Sequence, residues 1–355
     1  MTAASPSRQK LQMLQGLRAL AATMVVVDHA VLNLISRDIL PVEWSPVAWR
    51  FGSAGVAMFF VISGFIMART TERDANTNTA LGFILRRLWR IAPLYWLATG
   101  IYAVRLIAGG EPPSAMDMAR SLLFIPYFDG QGVFHPVLGP GWTLNFEMYF
   151  YLIFALSLLL PRMAGLVGIF VCMGGSVALG ALAGAPIETN PMLSLVTDPI
   201  ILFFLVGIGI HLVLHRVRGF EPSARVMASI ATISLAALCI AVFDPFGLGP
   251  GFDIVMLPIA GALVAVAVLW RPSSDGWLTR WLVTLGDASY SLYLSHSFVL
   301  GPLATLYLAA GFGTSFWMGF VLLATLVCNV IGLLCYRFVE VPLLAATRPL
   351  FRLSR

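Results

Sequence analysis

Charge is what this sequence has least of. Only 11% of its 355 residues are Asp, Glu, Lys or Arg, against about a quarter in soluble domains, while 59% are hydrophobic and mean hydropathy reaches +0.88. That shortage excludes a water-soluble enzyme with a conventional polar shell, and equally a disordered chain. Lysine is almost missing: Lys10 stands beside 21 arginines. Cysteine is scarce too. Cys172, Cys239, Cys328 and Cys335 all fall in apolar runs without C-x-x-C spacing. This argues against a disulfide framework, a zinc site or a redox pair, and reads them as small buried hydrophobes. No P-loop, G-x-S-x-G, H-E-x-x-H or G-x-G-x-x-G context occurs. A nucleotide hydrolase, a lipase-type serine enzyme and a zinc protease therefore lack support, and no metal is expected.

What is present is a series of apolar runs bounded by Pro, Gly and charge, each about long enough to cross a hydrocarbon core. They predict an all-α polytopic membrane protein of about ten spans, near 14–36, 50–69, 86–108, 143–160, 164–184, 195–214, 226–243, 252–270, 282–309 and 315–337. With the N-terminus placed in the cytoplasm, 18 of the 22 Lys and Arg residues fall on inner segments, and Arg37, Arg50, Arg105 and Arg120 on outer ones. Short cytoplasmic loops collect basic residues, so this split puts both termini inside. The excess of basic residues therefore reflects topology, and no nucleic acid is expected. The first span keeps Arg18, Asp28 and His29 and reads as a permanent helix instead of a removable signal. We read residues 1–355 as a single membrane domain without a soluble C-terminal extension. The outer loop near 109–142, rich in Gly and Pro, is long enough to be a lid or an acceptor-binding loop.

Ionisable side chains at membrane depth are costly and usually face a cavity or a partner. Arg18 and His29 are eleven positions apart on the first span, almost three helical turns, so they share a face with His29 about 16 Å beyond Arg18. Asp28 is turned about 100° from His29 and is free to pair elsewhere in the bundle. Glu147 opens the fourth span, where the positive end of the helix dipole favours a carboxylate. Ser289, Tyr293 and His296 follow i, i+4, i+7 spacing on the ninth span and make a polar stripe. Arg87 and Arg90 share a face at the cytoplasmic start of the third span, two forked donors suited to phosphates, although basic residues there also serve topology. Ser63-Gly64 forms a small-residue notch, for helix packing or a slender ligand arm. This vertical layout fits a phosphate-bearing donor entering from the cytoplasm, a histidine at depth and an acceptor arriving from outside. A secondary transporter or flippase is the alternative, weakened because matched broken-helix repeats are missing.

The chain resembles the membrane-bound acyltransferase-3 family of bacterial O-acyltransferases. The resemblance rests on Arg18 with His29, Gly55 to Phe65, Arg87-Leu-Trp-Arg90 with Pro93-Leu-Tyr-Trp, Trp142-Thr-Leu-Asn-Phe-Glu147, Leu285 to His296, and Tyr336-Arg-Phe-Val-Glu340-Val-Pro342. Together these run in family order through nearly the whole chain, and they look most like the branch associated with succinoglycan-type exopolysaccharide acetylation. Two positions depart from the common pattern: Ala57, where many relatives are acidic, and Asp28, where an aromatic is common. The resemblance implies ten spans in the bacterial inner membrane, acetyl-CoA as acyl donor, and a saccharide or lipid-linked glycan as acceptor, with membrane lipid around it. His29, Glu147 and His296 are then expected to be catalytic, with His29 as general base and Glu147 orienting its imidazole. Arg18, Arg87 and Arg90 are expected to hold the donor, and Trp142, Tyr149 and Tyr293 the acceptor.

Overall fold

In hydrocarbon every backbone N–H and C=O must be paired within its own segment or closed barrel, so an apolar chain of this kind has to be helical. The computed structural model describes residues 6–73, 79–130, 132, 134–183, 190–217, 219, 222–270 and 276–351, and among them no strand longer than one bridged pair, Phe128 with Phe134, occurs. The helices are α1 (Pro6–Ile35), α2 (Ser45–Arg73), α3 (Ala80–Ala108), α4 (Ala115–Leu122), α5 (Trp142–Ser157), α6 (Arg162–Ile169), α7 (Gly175–Ala183), α8 (Pro191–Thr197), α9 (Leu202–Arg216), α10 (Ala224–Phe243), α11 (Phe252–Leu269), α12 (Trp277–Asp287), α13 (Ser289–Ala309), α14 (Trp317–Cys335) and α15 (Val341–Thr347). A π-helical turn, Phe170–Gly174, joins α6 to α7, and another, Tyr336–Glu340, joins α14 to α15.

Nine of the expected spans are long and apolar enough to cross a membrane among the described residues. The remaining one is α5. Its 16 residues rise about 24 Å, short of a hydrocarbon core of about 30 Å. The run expected at 282–309 is also divided: α12 ends at Asp287 and α13 begins at Ser289. With Trp277, Leu278 and Trp281 exposed, α12 is an 11-residue amphipathic segment that precedes the crossing helix. Of the basic residues in the topological count, Arg218, Arg271, Arg352 and Arg355 lie outside the described residues.

The chain forms two compact units, Met1–Ala68 with Val206–Arg337, and Arg69–Leu205 with Phe338–Arg355. In the first, α1 packs against α11, α12, α13 and α14. Ala22, Val26 and Ala30 of α1 meet Leu292, Leu300 and Ala304 of α13 and Phe320, Ala324 and Cys328 of α14 in one core. Glycine sets the closest approaches, as expected where helices pack by shape in lipid. A Cβ on Gly55 would sit 2.5 Å from the Ala21 carbonyl, and one on Gly207 or Gly286 would overlap the backbone of Val61 or Gln15. Arg50 and Asp244 pair at 2.7 Å, tying α2 to the end of α10.

In the second unit α3 carries α4, α5 and α15. The loop before α5 does not stay outside. Phe124, with a left-handed φ of 57°, turns the chain so that its ring stacks 5.0 Å from Tyr95, while Trp96 donates to the Leu122 carbonyl at 2.8 Å. A Cβ on Gly141 would lie 2.7 Å from the Tyr95 hydroxyl, so α5 begins level with the middle of the 29-residue α3. From there it runs back until Tyr151 and Phe154 meet Phe83 at 6.1 and 5.3 Å.

The outward faces are apolar. Leu182, Phe246 and Leu322 are 85%, 79% and 73% exposed, a surface suited to lipid and not to water. Cys172 and Cys239 lie on exposed faces as well, so of the four cysteines expected to be buried only Cys328 is fully so.

Candidate active site

His29 lies on the face of α1 that meets α13. Its Nδ1 is 2.8 Å from the carbonyl of Val25, and because a carbonyl only accepts, Nδ1 carries the proton and Nε2 the lone pair. Its side chain is 39% exposed, so the imidazole is reachable. The ring of His296 stands edge-on to it, centroids 5.0 Å apart. His296 is wholly buried; Nδ1 lies 3.3 Å from the Leu292 carbonyl, and buried Nε2 has no hydrogen-bond partner among the described residues. Tyr293 completes the cluster, 6.0 Å from His296 and 6.4 Å from Phe59 of α2. The stripe on α13 thus meets the expected face of α1.

Arg18, three turns earlier on that face, meets α12. It donates to Gln15 at 3.0 Å, and Gln15 donates to Asp287 at 2.7 Å, so a polar chain runs from guanidinium to carboxylate. Gly286 lets the two backbones approach closely enough for this.

The second unit holds the other group. The Arg87 guanidinium lies 5.5 Å from the Phe83 ring and 6.0 Å from the Tyr151 ring, a cation flanked by two aromatics. Its buried Nε has no hydrogen-bond partner among the described residues. Tyr151 donates to Glu147 through a short hydrogen bond, and Glu147 is within electrostatic reach of Arg87. Glu147, expected to open the fourth span, thus lies within electrostatic reach of Arg87 on a helix that starts halfway along α3. Arg90 pairs with Glu340, which is completely buried. Arg87 and Arg90 share a helix face as expected but differ in surroundings.

The expected acceptor residues are dispersed. Tyr293 joins the histidines; Trp142 packs edge-on to Phe146 at 5.8 Å; and the Tyr149 hydroxyl reaches Cys172 and Ser176. Three contributors had no site role in the sequence reading. Asp28, assigned no local partner, has Oδ2 3.5 Å from Nδ1 of His29. Glu340 is 250 positions from Arg90, with no signal in spacing. His135, left without a role, packs on Gly139 where the chain turns into α5, with a would-be Cβ 2.5 Å from its Cε1. Burial holds the His135 imidazole below its ordinary range, with Asp129 opposing. Among the described residues no three His, Cys, Asp or Glu side chains gather as a metal-ligand set.

The comparisons with known proteins fit this inventory. A family model described as an acyltransferase domain matches residues 12–336. The exopolysaccharide production protein ExoZ of Rhizobium meliloti (strain 1021) is 35% identical over 310 residues, covering 84% of this chain and 92% of that protein. The acyltransferase MdmB of Streptomyces mycarofaciens is 27% identical over 320 residues, covering 83% and 80%. Nodulation protein 10 of Rhizobium leguminosarum bv. viciae is 25% identical over 330 residues, covering 85% of each chain. No solved structure matches the sequence.

Proposed function

The chain belongs to the acyltransferase domain family, and we propose that it is an O-acetyltransferase moving acetyl from cytoplasmic acetyl-CoA to a sugar hydroxyl of an exopolysaccharide or other cell-surface glycan. It is a multi-pass membrane acyltransferase that transfers groups other than amino-acyl groups. The name of the ExoZ relative supports the acceptor class, and the arginines support a CoA donor. We place it in the bacterial inner membrane, the compartment boundary at which a cytoplasmic thioester and an external glycan meet.

The observation that carries the reading is the fixed tautomer of His29. With Nδ1–H held by Val25, Nε2 is the basic nitrogen and takes the proton from the acceptor hydroxyl. The hydroxyl oxygen attacks the thioester carbonyl carbon, the C–S bond breaks, and the leaving thiolate recovers the proton from Nε2. Atoms and charge balance without a metal or an added base. His296 and Tyr293 brace the ring from α13.

Arg87 is the principal donor contact. Its guanidinium lies near the Phe83 and Tyr151 rings, and Glu147, bound by Tyr151, sets the charge beside it. Arg90, paired with Glu340 through one nitrogen, is assigned to the donor beside Arg87. Arg18 supplies a third cation on α1. Trp142 and Tyr149 are assigned to the acceptor side.

The test is direct. Purified protein in detergent, given acetyl-labelled CoA and a saccharide, should transfer label without a vesicle or gradient. Transport without transfer would reject the reading.

A further inference from the structure

α1 buries a carboxylate next to the proposed base. Asp28 is only 6% exposed, and its Oδ1 has no hydrogen-bond partner among the described residues. A buried carboxylate oxygen left unsatisfied is costly, so the polar group facing the other oxygen matters. Oδ2 lies 3.5 Å from Nδ1 of His29, the nitrogen whose proton also goes to Val25. The room comes from α2. A Cβ on Gly52 would overlap Oδ2 and come within 2.6 Å of Cγ and 2.8 Å of Cβ of Asp28, so glycine is what lets this carboxylate fit against its neighbour.

We propose that Asp28 is the positioning residue of His29, a buried anion that stabilises the imidazolium formed when Nε2 accepts the hydroxyl proton. The proposal rests on His29 acting as the base. Val25 and Asp28 then divide the work. The carbonyl is a dipole that fixes the tautomer, whereas the carboxylate supplies the opposite charge that the imidazolium needs away from bulk water. Asp28 touches neither donor nor acceptor and takes no proton. Nδ1 keeps its own throughout, and the pair returns to its starting charge when Nε2 protonates the thiolate. The other titratable groups around the pair are His296 from α13, edge-on at 5.0 Å, with Tyr293 behind it. On α2, Arg50 lies two residues before Gly52 and is engaged by Asp244 at 2.7 Å. Asp28 is thus a carboxylate set beside His29 on the same helix.

The test compares Asp28→Asn with wild type and His29→Ala, each as the full chain in detergent with acetyl-CoA and a saccharide acceptor. Asn keeps the shape and removes the charge. We expect kcat to fall at least roughly 10-fold and by no more than the about 10²–10⁴-fold that a positioned base contributes, with KM for acetyl-CoA unchanged. The pH at half-maximal rate should move toward acid by about one unit, because the imidazolium has lost its counter-charge. That midpoint is independent of how much variant folds. A profile coincident with wild type overturns the role of Asp28 even where kcat is low, and leaves the base reading intact provided His29→Ala is inactive. Transfer surviving in His29→Ala removes both.

Discussion

Arg87 and Arg90 lie one turn apart, yet removing them should have different consequences. Arg90 neutralises Glu340, whose side chain is 0% exposed. Arg90→Ala strands a buried carboxylate and should cost about 3–5 kcal/mol, read as a lower Tm. Glu340→Gln should cost less, because the Arg90 side chain is 33% exposed and can turn to solvent or lipid headgroups. Arg87→Ala should instead weaken acetyl-CoA binding, with a deficit that varies with salt; unchanged affinity at low and high salt would return Arg87 to topology alone. At this scale the sequence was informative wherever a charge interrupts an apolar helix, which is why Arg18 and His29 stood out. It marked Glu340 only as part of a family motif and gave no sign of its partner, which is distant in the chain. It read Asp28 as facing elsewhere, since a 100° turn separates neighbours on a helix. Gly52 is what brings the carboxylate back beside the imidazole.

Among the elements, α5 departs most from its expected form, and the cause lies in the segment before it. Apolar length alone cannot reveal that a polar loop folds back along its neighbour. Tyr95, Phe124 and Gly141 do this by packing, at positions whose composition resembles an ordinary interfacial loop. His135 locks the turn into α5 in its neutral form. Its folded-state pKa is depressed below the ordinary value of about 6.5, so protonation favours the unfolded loop, and the stabilisation should be lost as pH falls through that value. Protease resistance of the loop should drop on acidification in wild type, and the drop should be smaller in His135→Gln. Equal acid sensitivity would place the cause in another group. Gly207→Ala should destabilise the α2–α9 contact, because the added methyl meets the backbone of Val61 and Phe65 and has no flexible side chain to displace.

For the whole molecule, the low charge content separates two tasks. In the proposed reading, most basic residues set orientation and the few ionisable groups at depth carry the chemistry. Among the described residues nine helices are long and apolar enough to cross, and α5 returns the chain toward the start of α3 although it begins midway, so we propose that both termini lie on one side. Reporter fusions at the two ends should therefore both be active in the cytoplasm. The membrane class and nearly all spans were legible from hydropathy, since lipid leaves helices as the only solution for such a chain. The division into two units was not, because it depends on contacts between segments far apart in sequence. The central claim is that His29 is the base of an acetyl transfer. It is tested most directly by comparing wild type and His29→Ala, matched in expression and folding, for transfer of labelled acetyl from acetyl-CoA to a saccharide. The account predicts a loss of about 10²–10⁴-fold, the range for a positioned general base. Undiminished transfer by His29→Ala would contradict it.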